Sequence, residues 1–155
     1  MNNELMFSSS TDEWYTPIDF YNELNKEFKF NLDPCATVDN HKCNKYFTKA
    51  DNGLLQKWGG YNVFCNPPYG RTIGAWVEKA YNEAQKNNTL IVMLLPARTD
   101  TKWFHKFIYH KAEIRFIKGR LKFGGCKNAA PFPSMVVIFK GLKEKVEPQE
   151  SEVKE

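Results

Sequence analysis

The residues best suited to chemistry are Asn66-Pro67-Pro68-Tyr69, which follow a short apolar run. Two consecutive prolines fix φ and remove two backbone donors, so the carbonyls of Asn66 and Pro67 face the loop without competing N–H groups. The Asn66 amide adds an acceptor oxygen, and the Tyr69 ring adds a flat stacking face. This corner suits a planar ring with an exocyclic amine, because two acceptors that bind the amine hydrogens localise the nitrogen lone pair.

The position of this tetrapeptide in the chain favours a ligand site. The preceding run, Val63 to Cys65, predicts a buried strand, and a segment with helical spacing begins after Gly70. Open α/β sheets bind their ligands at the carboxyl ends of the strands. The alternative is a strand end closed by a Pro-Pro turn, with Tyr69 as an ordinary half-buried aromatic residue.

One helix and one strand are predicted before this loop. Thr16 is a natural N-cap, and Pro17 at the first helical position predicts a helix to about Glu27. Residues 28–32 alternate apolar and polar and predict a strand ending in a turn at Asp33. An acid at a strand's carboxyl end is placed to meet a ligand, but Asp33 could equally cap the turn. The helix should face the core through Ile18, Tyr21, Leu24 and Phe28.

The second half alternates helices and strands. Apolar residues at helical spacing predict a helix from residue 73 to 84, and the apolar run 90–95 predicts a strand buried on both faces. Arg98-Thr99-Asp100 should cap a further helix, and Arg98 would either meet a phosphate or be solvated. Strands are predicted at 113–117 and 134–139. This order predicts an α/β protein with a doubly wound, mostly parallel sheet and an antiparallel C-terminal end.

Positive charge is concentrated in the second half of the chain. Acidic residues outnumber basic ones in residues 1–60, and the reverse holds in residues 61–140. A solvated face is the usual explanation of a basic run, but this one is interleaved with Phe116, Phe123 and glycines, which favours contact with nucleic acid. Its basic residues between 111 and 127 are Lys111, Arg115, Lys118, Arg120, Lys122 and Lys127.

Length and composition predict one domain without membrane segments. The 155 residues contain no apolar run of membrane-spanning length, and the N-terminus lacks the pattern of a secretory signal. A cytoplasmic protein with reduced thiols is therefore expected. We predict a flexible N-terminus over 1–11, a domain over 12–140 and a disordered charged tail over 141–155. The sequence carries no signal for an oligomeric state.

A metal site is not expected. Cys35, His41 and Cys43 have ligand chemistry, but no fourth ligand lies at a usual spacing and no Cys-x-x-Cys pair is present. We therefore predict that no metal is bound.

Several motifs together resemble the small phage-type DNA N-6-adenine methyltransferases. The tetrapeptide at 66–69 resembles motif IV of amino-methyltransferases that use S-adenosylmethionine, Tyr15-Thr16-Pro17 is similar to motif X, and Leu32 to Ala36 resembles a glycine-poor motif I. Residues 118–123 and 130–134 extend the resemblance over about residues 12–140. The resemblance implies a reduced Rossmann-like methyltransferase fold and methyl transfer from S-adenosylmethionine to the N6 amine of adenine in DNA, in a bacterial cytoplasm during phage or prophage life.

The same resemblance implies roles for individual residues. Asn66, Pro67, Pro68 and Tyr69 would be catalytic. Asp51 occupies the place where the family puts an acid near the cofactor's adenine, although it could simply start a turn. The cofactor-binding residues would be Tyr15, Thr16, Pro17, Asp33, Pro34, Cys35 and Asp51, and the DNA-binding residues Arg98, Lys118, Arg120, Lys122 and Phe123.

Other functions share the tetrapeptide. It also occurs in enzymes that methylate RNA bases or protein glutamine, and a catalytically weak DNA-binding remnant is a third alternative. The basic stretch argues against a glutamine enzyme, and intact Asn66 and Tyr69 argue against a remnant.

A paired adenine must leave the duplex before its amine can react. Tyr69 would stack on one face of the extruded base, with Phe123 near its other face or edge. The alternative places Phe123 in the core, where aromatic residues commonly lie.

Overall fold

The computed structural model describes residues 14–124 and 128–141. The predictions for the flexible N-terminus, for the tail from residue 142 and for Lys127 lie outside these residues. Within the described residues, no helix is both long enough and apolar enough to cross a membrane.

The first helix, α1, spans Ile18–Phe28 and confirms the predicted helix. Thr16 is not its N-cap: the cap is Pro17, whose carbonyl accepts a hydrogen bond from the Tyr21 N–H at 3.0 Å. Of the four residues predicted to face the core, Tyr21, Leu24 and Phe28 are buried, but Ile18 is 57% exposed. Helical spacing indicates which face is apolar, but it does not indicate how far along the helix the packed layer extends.

The strand predicted at 28–32 is shorter than expected. Phe28 still belongs to α1, and Lys29 ends the helix in the left-handed region with φ 56°. Strand pairing remains only at Leu32, which bridges Val63 in parallel, and at Asp33, which bridges Tyr46 in parallel. Alternation of apolar and polar residues was therefore a poor guide where a helix ends beside a sheet edge.

The described residues form one mixed four-stranded sheet. Its strands are β1 (Asn62–Cys65), β2 (Leu90–Pro96), β3 (Glu113–Phe116) and β4 (Ser134–Lys140), in the order β1-β2-β4-β3. β1 and β2 pair in parallel, and β4 pairs antiparallel with both β2 and β3. The predicted α/β class is confirmed. Three strands run in one direction, but the antiparallel last strand lies inside the sheet and not at its edge.

A second helix, α2 (Ile73–Glu83), connects β1 to β2. Its predicted apolar face is confirmed, since Ile73, Trp76, Val77 and Ala80 are buried. The strand β2 is buried from its second residue to its last, as expected of a strand covered on both faces. Together, α2 and the central strands form a rigid support for the loops that follow β1 and β2.

The helix predicted after β2 is reduced to a π-helical turn, Phe104–Ile108. Its first N–H is capped by the hydroxyl of Thr101 at 3.2 Å, not by Asp100. Phe104 and Ile108 are buried, and Trp103 and Phe107 are half-buried.

Candidate active site

A pocket of about 300 Å³ opens at the carboxyl ends of β1 and of the segment Leu32–Asp33. The two segments run in parallel, so the loops that leave them meet at the same edge of the sheet. This is where α/β sheets bind their ligands. The residues that line the pocket come from the segment before α1, the turn after Leu32–Asp33, the turn around Gly53, the loop after β1 and α2. They are Trp14, Tyr15, Thr16, Asp33, Pro34, Cys35, Ala36, Thr37, Val38, Asn40, Lys42, Thr48, Lys49, Ala50, Asn52, Gly53, Phe64, Asn66, Pro67, Pro68 and Trp76.

The structure brings most of the predicted cofactor residues into this pocket. Tyr15 and Thr16 line one wall, and the turn from Asp33 to Cys35 lines another. Pro17 is not among the lining residues, because it caps α1.

The Asp51 carboxylate does not contact the pocket as predicted. It accepts hydrogen bonds from the backbone N–H of Thr48 at 2.9 Å and from the Thr48 hydroxyl at 3.2 Å. Both bonds use Oδ2 and fit the turn interpretation, and the contact of Asp51 with the cofactor's adenine stays a prediction. Its neighbours Ala50 and Asn52 line the pocket instead.

Asp33 is a buried acid that shapes the pocket wall. Its two carboxylate oxygens accept hydrogen bonds from the backbone N–H groups of Lys42 at 2.8 Å and Cys35 at 3.3 Å. Burial raises the pKa of Asp33, although these two donors act in the opposite direction. Asp33 thus combines both proposed roles: it holds the loop from 35 to 42 in place and it borders the pocket.

Gly53 allows two segments of the pocket wall to pack closely against each other. A Cβ on Gly53 would lie 2.1 Å from the backbone oxygen of Pro34, closer than any side chain allows. Its own carbonyl accepts a hydrogen bond from the indole N–H of Trp58 at 3.0 Å. Gly53 is not among the site residues predicted from the sequence. The sequence signal that could have marked it is the pair Asn52-Gly53, which is typical of a turn. In the structure, Asn52 takes a positive φ of 59°.

Asn66 has its amide nitrogen satisfied and its amide oxygen unpaired. The Nδ2 group donates to the backbone carbonyl of Trp14 and, at 2.9 Å, to the hydroxyl of Thr16. Within the described part of the chain, Asn66 Oδ1 is buried without a hydrogen-bond partner. A buried acceptor left unpaired costs about 1–3 kcal/mol. The site therefore presents a desolvated oxygen for a hydrogen-bond donor that is not part of the protein.

Tyr69 is fixed by a hydrogen bond to β2. Its hydroxyl donates to the carbonyl of Leu94 at 2.8 Å, and its ring is 9% exposed. Burial raises the pKa of Tyr69 well above its ordinary value, so the phenol stays neutral. The ring lines a second, smaller pocket of about 170 Å³ together with Arg98 and Trp103. The tetrapeptide thus separates two cavities, with Asn66 facing the larger and Tyr69 the smaller.

Phe123 lies in the core, which contradicts its predicted contact with a base. It is 1% exposed. Its ring packs against Trp14, Tyr69 and Phe132 at centroid distances of 5.6, 6.3 and 5.9 Å. Two of these aromatic neighbours, Trp14 and Tyr69, are distant in the chain, so their convergence on Phe123 could not be predicted from the local pattern. The nearby Lys118, Arg120 and Lys122 are exposed.

Two of the described cysteines, Cys43 and Cys65, are buried, whereas Cys35 is half-buried at the pocket. Cys65 at the end of β1 is fully buried, and burial raises its pKa. His41 stacks on Tyr46 at 3.9 Å, and Cys43 contacts the Tyr21 hydroxyl at 3.6 Å. Among residues 14–124 and 128–141, no group of three or more potential metal ligands comes together.

Comparison with known proteins gives a consistent family. The family described as DNA N-6-adenine-methyltransferase (Dam) matches residues 5–154. A DNA N-6-adenine-methyltransferase of Haemophilus phage HP1 is 32% identical over 139 residues, which cover 84% of this chain and 80% of the relative. One of Escherichia phage T1 is 37% identical over 112 residues, covering 71% of this chain but 46% of the relative. The putative methyltransferase YfdM of Escherichia coli is 37% identical over 65 residues, or 37% of this chain and 71% of the relative.

The family match spans nearly the whole chain, and the phage HP1 relative is aligned over most of both sequences. The family match, over residues 5–154, includes Asn66-Pro67-Pro68-Tyr69. On these grounds the chain belongs to the DNA N-6-adenine-methyltransferase (Dam) family.

Proposed function

We propose that this chain, an adenine-specific DNA N6-methyltransferase, binds S-adenosylmethionine in the larger pocket and adenine beside Asn66 and Tyr69. The pocket volume of about 300 Å³ lies at the lower end of the range for small-molecule sites. Its position at the strand ends suits a reduced Rossmann-like methyltransferase fold.

The residues that would hold the cofactor surround this pocket on three sides. Tyr15 and Thr16 form one side, Asp33 to Cys35 the second, and Ala50, Asn52 and Gly53 the third. When bound, S-adenosylmethionine supplies an electrophilic methyl group that the adenine nitrogen can accept directly.

The observation that carries the proposal is the buried, unpaired oxygen of Asn66. An exocyclic amine is a donor of the right kind for it, because the amine nitrogen carries two hydrogens. A hydrogen bond to this oxygen would localise the lone pair of the adenine nitrogen without removing a proton, and the dry site would strengthen it. No protein nucleophile is required, and Cys65 is buried in β1 away from solvent.

DNA would approach along the exposed basic residues. Lys118, Arg120 and Lys122 could neutralise backbone phosphates, and Arg98 at the second pocket could meet a phosphate next to the target nucleotide. A flipped adenine would then use Tyr69 as one wall of its site. The phage origin of two relatives favours activity in the cytoplasm of a bacterial host.

Incubation with labelled S-adenosylmethionine and parallel DNA, RNA and protein acceptors tests the proposal. We expect label in adenine-containing DNA, recovered as N6-methyladenine. A duplex of only G and C should take up no label. Label in RNA or in protein glutamine, with none in DNA, would replace the proposal with one of the alternatives.

Replacing Arg120 with Ala is expected to weaken DNA binding and make it less sensitive to salt. Arg120 is exposed, and its only described hydrogen bond is a long one, 3.5 Å, to the carbonyl of Ala130. Losing one phosphate contact should reduce the slope of log K against log salt by about 0.9 on duplex DNA. Binding titrations at several salt concentrations measure this slope. Lys57→Ala, at an exposed site just before β1, is the matched control and should leave it unchanged.

A further inference from the structure

We infer that Thr16, together with the backbone carbonyl of Trp14, positions the Asn66 amide so that its oxygen faces the substrate, and that this support requires an amide at position 66. The inference rests on the proposed function and adds a residue outside the tetrapeptide to it. Thr16 is a positioning residue here, since it acts on the substrate through Asn66.

An asparagine could present either end of its amide to a ligand. Its oxygen accepts hydrogen bonds and its NH₂ group donates them, and rotation by half a turn exchanges the two. For an incoming amine, only the orientation with the oxygen outward is useful. Something in the protein must therefore select that orientation.

The neighbours of Asn66 make this selection. The Trp14 carbonyl can only accept, and it bonds with Nδ2. The Thr16 hydroxyl lies 2.9 Å from the same nitrogen. A rotated amide would place two oxygens against each other at Trp14. Both hydrogens of the Nδ2 group thus have acceptors, and the oxygen is left for the substrate.

These two acceptors are themselves held firmly. The Trp14 ring packs edge-on against Phe123 at 5.6 Å and Phe132 at 5.2 Å. Thr16 is 6% exposed and directly precedes Pro17, the cap of α1. The support therefore comes from the aromatic cluster and from the residue that precedes the cap of α1.

A carboxylate at position 66 would not fit this support. Its second oxygen would face the Trp14 carbonyl with no hydrogen between them. The Thr16 hydroxyl could turn to donate, but the backbone carbonyl cannot. A protonated carboxyl group would restore the fit, because its O–H can donate to Trp14 while its other oxygen faces the substrate.

The larger pocket holds other titratable groups that face this position. Asp33 is buried, and Lys42 and Lys49 line the pocket with Cys35 and Tyr15. Tyr69 and Cys65 flank the loop and have raised pKa values. All of these groups are also present in the wild-type protein. The ratio of variant to wild-type turnover therefore isolates the group at position 66.

Thr16→Val is the first test, because it keeps the shape of the side chain and removes the hydroxyl. At saturating S-adenosylmethionine, which is needed because Thr16 also lines the cofactor pocket, we expect turnover to fall about 10-fold, as for the loss of one hydrogen bond. Thr16→Ser should recover most of the loss. Thr89→Val is the matched control: the buried Thr89 hydroxyl accepts from the Gly60 N–H at 2.8 Å and lies at the opposite end of β2. It should lower the melting temperature without changing turnover.

Asn66→Asp is the second test, through its pH profile. Its turnover relative to the wild type should fall as pH rises, because only the protonated carboxyl group fits the support. The side-chain amide of Asn66 provides a readout that needs no activity: its NMR signals, assigned by their loss in Asn66→Ala, should exchange faster with solvent in Thr16→Val.

The outcomes separate the inference from the proposed function. Full turnover in folded Thr16→Val, equal losses in the Val and Ser variants, a flat pH ratio or unchanged amide exchange would each overturn the inference. A wild-type protein that methylates no adenine would overturn the proposed function, and amide exchange would still decide whether Thr16 holds Asn66.

Discussion

Asn66→Ala is expected to lower turnover about 100-fold while the Kd for S-adenosylmethionine changes little. The variant loses the buried oxygen that would accept a hydrogen bond from the adenine amine. A preorganised hydrogen-bonding group in a dry site contributes on the order of 3 kcal/mol to the stability of the transition state. Single-turnover rates with labelled cofactor and calorimetric titration measure the two quantities separately.

The control for this variant is Asn82→Ala, which removes an exposed amide from α2. It should methylate like the wild type. Normal methylation by Asn66→Ala would mean that the loop is only a turn. A large loss of cofactor affinity with a normal rate would instead assign Asn66 to the cofactor.

Phe123→Ala is expected to lower the free energy of unfolding by about 3–5 kcal/mol, which corresponds to a drop in melting temperature on the order of 10 °C. The ring is 1% exposed and packs against Trp14 and Tyr69, so its removal leaves a cavity in an aromatic cluster. Thermal melts measure the loss of stability. Methylation is then assayed well below the lowered melting temperature.

Phe116→Ala is the matched control, since Phe116 on β3 is 63% exposed and should cost little on truncation. A Phe123→Ala protein that melts like the wild type but binds DNA poorly would return Phe123 to the role predicted from the sequence. Slower catalysis in the folded variant, with normal DNA binding, would have a different meaning. It would indicate that Phe123 supports Trp14, whose carbonyl holds the Asn66 amide.

Features that depend on neighbouring residues were predicted well from the sequence. The buried face of α2 follows from apolar residues that recur with a period of 3.6 residues. The buried strand β2 follows from a continuous apolar run. The chemical groups that residues 66–69 offer could also be predicted from the sequence. Two prolines fix φ and remove backbone donors, and the asparagine adds an amide, whatever the rest of the fold. The resemblance to a methyltransferase family rested on such local motifs, and the family match agrees with it.

Features that depend on distant segments were predicted poorly. Thr16 looks like a helix cap in sequence, but its hydroxyl bonds with an amide 50 residues away. In the sequence, Phe123 looks like a surface aromatic residue in a basic stretch. In the structure it is buried against Phe132 and against the distant residues Trp14 and Tyr69. Asp51 looks like a ligand but bonds with a nearby threonine. A residue's type limits which partners it can take, whereas the packing of the whole chain selects the partner. In the described part of this protein, that packing gives the Asn66 amide nitrogen two acceptors and leaves its buried oxygen without a hydrogen-bond partner.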